Sequence, residues 1–173
     1  YEILIRNVYE FEGTVNELTG DGIMALFGAP IGLEDAPVRA IQSALAIHRG
    51  LARFNEEHQH RSLAPVRMRV GINTGPVVVG ALGNDLRVEF KVVGDTVNLA
   101  SRLEQIAEPG TTLVTEATRR LVEGLFQFEA LGERVIKGKK DPVSFRQLVG
   151  NPPVAHRYGS LFPDHSPRCY DPL

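Results

Sequence analysis

Asp21 lies between two glycines in the stretch Thr19-Gly20-Asp21-Gly22, a pattern that suits cation binding. The glycines permit a tight turn, which would leave the Asp21 carboxylate at an exposed tip. A carboxylate in that position is a suitable ligand for a hard cation such as Mg²⁺. An Asp-Gly pair is also the ordinary chemistry of a β-hairpin turn, so a purely structural role is the alternative.

Asn98 and Arg102 are four residues apart on a segment with helical periodicity. That spacing places an amide and a guanidinium on one face of a helix. A permanently charged guanidinium suits the negative charge that develops in the transition state of phosphoryl transfer, and an amide can position ribose or phosphate oxygens. The alternative is that Arg102 is an ordinary surface arginine.

Two further cations stand beside predicted turns. Arg69 lies just before a glycine-containing turn, and Lys137 lies within a basic one. Because a triphosphate requires several cations and hydrogen-bond donors, these residues could supply part of its binding site. Solvated charge beside a turn is the alternative, and it is the interpretation we favour for Lys139 and Lys140.

A mixture of helices and strands has to position these groups. Residues 1–10 have helical spacing, and residues 13–28 form two extended apolar runs that predict a β-hairpin with Asp21 at its tip. An amphipathic helix is predicted over Glu34–Glu57. Its inner face would consist of residues at three- and four-residue steps: Val38, Ile41, Leu45, His48 and Ala52.

The second half of the chain predicts one more long helix and several strands. The helix begins at a cap formed by Asp95 or Thr96 and ends before Pro109. Segments 65–71 and 77–79 predict a second strand pair. Other strands are predicted at 88–93, 111–115, 126–130, 134–136 and 143–149, with a short helix at 116–122. This order predicts an α+β fold with a mostly antiparallel sheet and flanking helices.

Composition limits the class of protein and its partners. The 173 residues suffice for one domain, which we assign to residues 1–150, followed by a Pro-rich tail or linker over 151–173. A net charge of −2 gives no global reason to expect a nucleic-acid partner. The single cysteine, Cys169, cannot form an internal disulfide, so a reducing, cytoplasmic location is expected. No apolar run approaches the roughly 20 residues that cross a bilayer.

Four ordered segments together resemble the catalytic domain of the class III adenylyl/guanylyl cyclases. They are ELTGDGIMALFGAP from Glu17, MRVGINTG from Met68, VVGDTVNLASRLE from Val92 and IKGK from Ile136. The resemblance extends over roughly residues 1–150. It implies a ferredoxin-like core that works as a head-to-tail homodimer, with a nucleoside triphosphate at the interface and two metal ions, Mg²⁺ or Mn²⁺. The reaction would convert the triphosphate to a 3′,5′-cyclic nucleotide and pyrophosphate for intracellular signalling.

The resemblance also assigns roles to individual residues. Asp21 matches the second of two metal-binding aspartates, and Asn98 and Arg102 match a transition-state pair supplied by the opposite subunit. Arg69 and Lys137 match phosphate-contacting positions. The family's first strand, with its other metal-binding aspartate, would lie upstream of Tyr1, so the domain is expected to be N-terminally truncated and one aspartate ligand is expected to be missing.

The two positions that read the purine base match Glu17 and Lys91, a pair that mixes the adenylyl and guanylyl patterns. Glu17 could accept hydrogen bonds from either purine, and Lys91 could donate to guanine O6. We expect ATP rather than GTP, because adenylyl cyclases are the commoner bacterial-type relatives. Lys91 pointing away from the base is the alternative.

Other functions remain open on the sequence. The first is a noncatalytic cyclase-homology module that dimerises and regulates a neighbouring domain; a regulatory domain is expected in the parent protein. A diguanylate cyclase would need an acidic Gly-Gly-Asp/Glu-Glu-Phe hairpin, which Gly20-Asp21-Gly22-Ile23 does not supply. A plain ferredoxin-like binding module would leave the spacing of Asn98 and Arg102 unexplained.

Overall fold

A computed structural model describes residues 1–59, 64–84, 87–134 and 142–150; side chains are not described at 81–91 and 134. The helices are α1 Glu2–Glu10, α2 Ala36–Glu57, α3 Asp95–Ile106 and α4 Glu116–Leu121. The strands are β1 Thr14–Thr19, β2 Gly22–Leu26, β3 Val70–Ile72, β4 Val78–Asn84, β5 Arg87–Val93, β6 Thr112–Thr115, β7 Gln127–Arg134 and β8 Val143–Gly150. No helix within these ranges is long and apolar enough to cross a membrane.

The strands form three small sheets. The pairs β1-β2 and β4-β5 are antiparallel ribbons, and the remaining strands form a sheet in the order β3-β6-β8-β7. Within this sheet, β3 and β6 are parallel and the other two pairs are antiparallel. The predicted α+β class and mostly antiparallel pairing are therefore confirmed.

The predicted pairing of segment 65–71 with 77–79 is wrong. β3 pairs with β6, whereas β4 pairs with β5, Val78 lying opposite Val93. Closeness in sequence favours hairpins, but the turn after β3 leads the chain away from the four-stranded sheet. Residues 134–136 were predicted as a strand of their own; β7 instead continues to Arg134, and 135–136 lie outside the described residues.

Helices cover both faces of the four-stranded sheet. Successive residues of a strand point to opposite faces. Accordingly, Leu113 of β6 and Phe145 of β8 pack with Leu103 of α3. Leu148, on the other face, packs with Ile41 of α2. α2 and α3 therefore lie on opposite sides of this sheet.

The β1-β2 hairpin packs against α1 and α2. Leu4 and Val8 of α1 and Ile47 and Leu51 of α2 form a buried cluster. The hairpin contributes partly buried residues to it, among them Val15, Ile23, Ala25 and Phe27. The first helix, the hairpin and the long helix thus form one packed unit, in agreement with the three predicted elements.

Gly71 sets the distance between β3 and α3. A β-carbon added there would lie 2.2 Å from the Ala100 carbonyl oxygen and 2.5 Å from the Glu104 nitrogen. Both atoms belong to the backbone of α3, so neither can rotate away. The helix rests directly on the strand because residue 71 has no side chain.

Gly71→Ala is expected to lower the free energy of unfolding by about 3 kcal/mol, because α3 would have to move off the sheet. Urea denaturation measures the loss. Gly80→Ala is the matched control, since its added carbon would meet nothing within 4 Å; it should change stability by less than about 1 kcal/mol. Equal effects of the two substitutions would contradict this packing.

Candidate active site

Asp21 occupies the turn between β1 and β2, as predicted. Gly20 has φ +66°, a conformation that glycine adopts without strain, and its carbonyl oxygen accepts a hydrogen bond from the Tyr1 hydroxyl. Asp21 itself is exposed and forms no hydrogen bond or ion pair with another described residue. Its carboxylate oxygens are therefore open to a ligand.

A divalent cation fits Asp21 as one ligand of a larger set. The described ranges contain no group of three or more His, Cys, Asp or Glu side chains that could hold a metal by itself. Mg²⁺ is usually bound through one or two carboxylates, with phosphate oxygens and waters completing its shell. The free carboxylate of Asp21 can supply one protein ligand, which is the minimum that such an ion takes from a protein.

A cavity of about 230 Å³ lies beside Asp21. Its other described lining residues are apolar or aromatic, among them Leu4 of α1, Leu51 and Phe54 of α2, and Met68. No described lysine, arginine or histidine side chain lines it, although a triphosphate requires several cations. This cavity is therefore not a complete triphosphate site.

Asn98 and Arg102 lie on the side of α3 that faces away from β3. The opposite side of the helix, around Ala100 and Leu103, packs on the sheet. At 3.6 residues per turn, Asn98 and Arg102 fall on the far side from these two residues. Asn98 is exposed, Arg102 is half-buried, and neither side chain bonds to another described residue.

The predicted caps of α3 are wrong. Gly94 is the N-cap residue, and no side chain caps the helix. The Thr96 hydroxyl instead donates to the Pro76 carbonyl oxygen at 2.7 Å. A β-carbon on Gly75 would lie 2.7 Å from that hydroxyl, so the loop passes close to the first turn of the helix. The Thr96 side chain is used to hold α3 against this loop.

The other predicted site residues are distributed over several elements. Glu17 is exposed on β1 opposite Met24, just after a register irregularity. Arg69 forms an ion pair with Glu104 of α3, with 3.1 Å between Nε and Oε1. Lys91 lies opposite Gly80 in the β4-β5 ribbon, and its side chain is outside the described part. Lys137 also lies outside the described residues.

The candidate metal ligand and the candidate transition-state pair do not meet within the described part of one chain. Asp21 belongs to the unit built on α1 and α2, whereas α3 covers the opposite face of the four-stranded sheet. No hydrogen bond or ion pair links Asp21 to Asn98 or Arg102. Each half of the predicted site is solvent-accessible and lacks the other half.

A cluster of ion pairs around Glu116 lies outside this site. Glu116 accepts from Arg146 at 2.7 Å and from Arg119 at 2.9 Å. The hydrogen bond from Arg146, supported by Arg119, keeps the pKa of Glu116 below its usual value. These contacts tie α4 to β8, and each of the two arginines is already paired with a carboxylate.

His48 is the ionisable group that burial perturbs most clearly. Its Nε2 lies 2.9 Å from the Thr112 hydroxyl of β6, and burial lowers its pKa. Its partly buried position on α2 agrees with the helix-face role that the sequence predicts.

Stability should fall as the pH is lowered from about 6.5, the ordinary histidine value, toward the lower pKa of folded His48. In that window the unfolded chain binds a proton that the folded chain does not. Urea midpoints measured between pH 8 and pH 5 test this expectation, and His48→Gln should remove the slope. His58→Gln, at the exposed end of α2, is the control; a slope that persists in His48→Gln would refute the assignment.

Comparison with known proteins gives one consistent result. The sequence model of a family described as "Adenylate and Guanylate cyclase catalytic domain" matches residues 7–148. Adenylate cyclase 1 of Rhizobium meliloti (strain 1021) is 32% identical over 152 residues, which is 87% of this chain and 23% of that protein. The chain thus spans about a quarter of the length of this relative.

The solved structures that share this architecture include one named as an adenylyl cyclase and one named as a guanylyl cyclase. The adenylyl cyclase CyaB from P. aeruginosa has a TM-score of 0.80 and 29% identity, covering 86% of this chain and 78% of its own. The guanylyl cyclase Cya2 has a TM-score of 0.81 and 31% identity, covering 90% and 81% respectively. The three matched proteins therefore differ in their named nucleotide while sharing sequence or fold with this chain.

Proposed function

The chain belongs to the adenylate and guanylate cyclase catalytic domain family, and from this premise we propose that it forms a 3′,5′-cyclic nucleotide and pyrophosphate from a nucleoside triphosphate. Membership confirms the resemblance and the fold family predicted from the four motifs. The observation that supports the catalytic proposal is the separation of two accessible half-sites, Asp21 on one side and Asn98 with Arg102 on the other. Two head-to-tail copies would join them.

In the proposed reaction, the ribose 3′ oxygen forms a bond to the α-phosphorus, and the bond from that phosphorus to the bridging oxygen of pyrophosphate breaks. The hydroxyl proton passes to water, and the electron pair of the broken bond departs with pyrophosphate. Arg102 neutralises the charge that grows on the phosphoryl oxygens, while Asn98 orients the ribose or a phosphate oxygen. Both side chains would come from the copy opposite the one that holds the metal.

Asp21 would hold a divalent cation, Mg²⁺ or Mn²⁺, together with the substrate phosphates. When bound, such an ion neutralises phosphate oxygens and lowers the pKa of the attacking hydroxyl. The free carboxylate at the hairpin tip supports this role, because no described cation competes for it.

Arg69 and Lys137 are proposed to contact phosphate groups. Arg69 is engaged with Glu104, but both side chains of that pair are substantially exposed. An exposed ion pair contributes about 0–1 kcal/mol, so a polyanionic phosphate can displace Glu104. Glu17 and Lys91 are proposed to recognise the base, with ATP preferred; an exposed Glu17 carboxylate can accept from the amino group of adenine.

Four statements stay predictions: the protein is cytoplasmic, the domain ends at residue 150, no nucleic acid is a partner, and the parent protein contains a regulatory domain.

The test of the proposal is cyclic nucleotide formation with Mn²⁺ and either ATP or GTP. The 173-residue chain and the longest natural chain that contains it should be assayed side by side. Product from either chain supports the proposal, and the faster nucleotide decides the base preference. Absence of product from both, with folded protein and bound nucleotide, would refute it in favour of a noncatalytic dimerisation or regulatory module.

A further inference from the structure

Asn73 lies between the end of β3 and the first turn of α3. Its Nδ2 donates to the Thr96 carbonyl oxygen at 3.0 Å. Its Oδ1 accepts from the Thr115 hydroxyl at the end of β6, at 2.8 Å. One amide therefore links the two parallel strands to the helix that carries Asn98 and Arg102.

The amide of Asn73 has a single workable orientation. A carbonyl oxygen accepts only, so the group that faces Thr96 has to be the NH₂ donor. Thr115 is nearly fully buried, and its hydroxyl accepts from the Thr118 backbone nitrogen and donates to Asn73 Oδ1. Reversing the amide would lose the hydrogen bond to Thr96 and set the Asn73 carbonyl oxygen against the Thr96 carbonyl oxygen.

Three of the contacts that hold α3 differ in chemistry. Gly71 sets the height of the helix above β3 through backbone contact, and the Thr96 hydroxyl binds the loop at Pro76. Asn73 binds the Thr96 carbonyl oxygen, which fixes the helix along and around its axis at the first turn. Asn98 lies two residues after Thr96, and Arg102 lies six residues after it. A displacement of the first turn of α3 therefore moves both side chains.

We propose that Asn73 is a positioning residue for the transition-state pair Asn98 and Arg102. This inference rests on the proposed function. Asn73 does not touch the substrate in this account; it acts through the backbone of α3. Its contribution is orientation, and misplacement of a catalytic group by about 1 Å can cost about a hundredfold in rate.

Asn73→Asp tests the donor with almost no change in shape. The carboxylate still accepts from Thr115, but it repels the Thr96 carbonyl oxygen instead of donating to it. We expect kcat to fall between about tenfold and a hundredfold, with the KM for the nucleoside triphosphate within about threefold of the original.

Thr118→Val is the matched control. Thr118 is fully buried and contacts Thr115 and Thr74 in the same polar network, but it makes no hydrogen bond to α3. The substitution should destabilise the fold by an amount similar to Asn73→Asp and leave kcat within about twofold. An equal loss of kcat in both variants would show that Asn73 contributes to the stability of the fold and has no positioning role.

A combined variant separates positioning from an independent catalytic role. If Asn73 acts through Asn98 and Arg102, adding Asn73→Asp to a variant that already carries Asn98→Ala and Arg102→Ala should lower kcat by less than about twofold further. A further loss as large as that of the single variant would overturn the proposal.

Amide hydrogen exchange gives a readout that does not depend on activity. Exchange over residues 95–102 should become at least about tenfold faster in Asn73→Asp and remain unchanged in Thr118→Val. If the wild-type protein forms no cyclic nucleotide, the proposed function fails while this measurement still decides whether Asn73 holds α3. Unchanged exchange in Asn73→Asp would overturn the inference in either case.

Discussion

Arg102→Ala should lower kcat for cyclic nucleotide formation by about a thousandfold, the effect of removing an arginine that stabilises a phosphoryl-transfer transition state. No described side chain pairs with Arg102, so its guanidinium is open to an external group. Arg102→Lys should recover little of the activity, because an ammonium group does not reproduce the planar, bidentate geometry of guanidinium. Single-turnover rates at saturating nucleotide measure the loss.

Arg120→Ala is a suitable control for removal of a cation. Arg120 is an exposed helical arginine on α4 whose nearest acid, Glu116 at 3.5 Å, has stronger partners in Arg119 and Arg146. Its kcat should remain within about twofold of the original. Arg102→Ala with near-normal kcat would show that Arg102 is an ordinary surface residue.

Asp21→Asn should lower activity by about a hundredfold or more and raise the Mn²⁺ concentration needed for half-maximal rate, because the amide keeps the shape of the turn but removes the anionic ligand. Mg²⁺ should support even less of the remaining activity than Mn²⁺ does. Titration of activity against each metal, at fixed free nucleotide, measures both effects.

Glu57→Gln, at the exposed end of α2, controls for the loss of one negative charge. It should leave the metal dependence unchanged. If Asp21→Asn lowers kcat without altering the half-maximal metal concentration, Asp21 contributes through the turn and not as a ligand.

The sequence predicts the local elements of this fold well and their long-range pairing less well. The hairpin around Asp21 and the helix that presents Asn98 and Arg102 follow from turn residues and periodicity, which are local signals. The partner of β3 does not, because its parallel pairing with β6 is made across a long stretch of chain that contains α3. Local patterning contains no direct information on such a contact.

The inner face of α2 shows the same limit. Ile41 is buried as predicted, but Ala52 is exposed, and Ala44, Ile47 and Leu51, which the predicted face does not include, are buried. A single stripe is the expectation for a helix that packs on one surface. α2 contacts two clusters, one with α1 and the hairpin and one with the four-stranded sheet, so its buried surface is wider.

The candidate site could be predicted as residue types but not as a geometry. Asp21, Asn98 and Arg102 were found from spacing and resemblance, whereas the role of Asn73 depends on hydrogen bonds to Thr96 and Thr115. Its only sequence signal is a polar amide directly after a short apolar strand. The engagement of Arg69 with Glu104 likewise depends on where α3 crosses the strand end.

The central claim is that one active site takes Asp21 from one copy and Asn98 with Arg102 from another. Mixing Asp21→Asn and Arg102→Ala proteins, each inactive alone, tests it directly because every mixed dimer would contain one intact site. With random exchange of equal amounts, about a quarter of the wild-type activity should return, given half mixed dimers with one of two sites restored. Mixed dimers that form and remain as inactive as either parent would contradict the shared site.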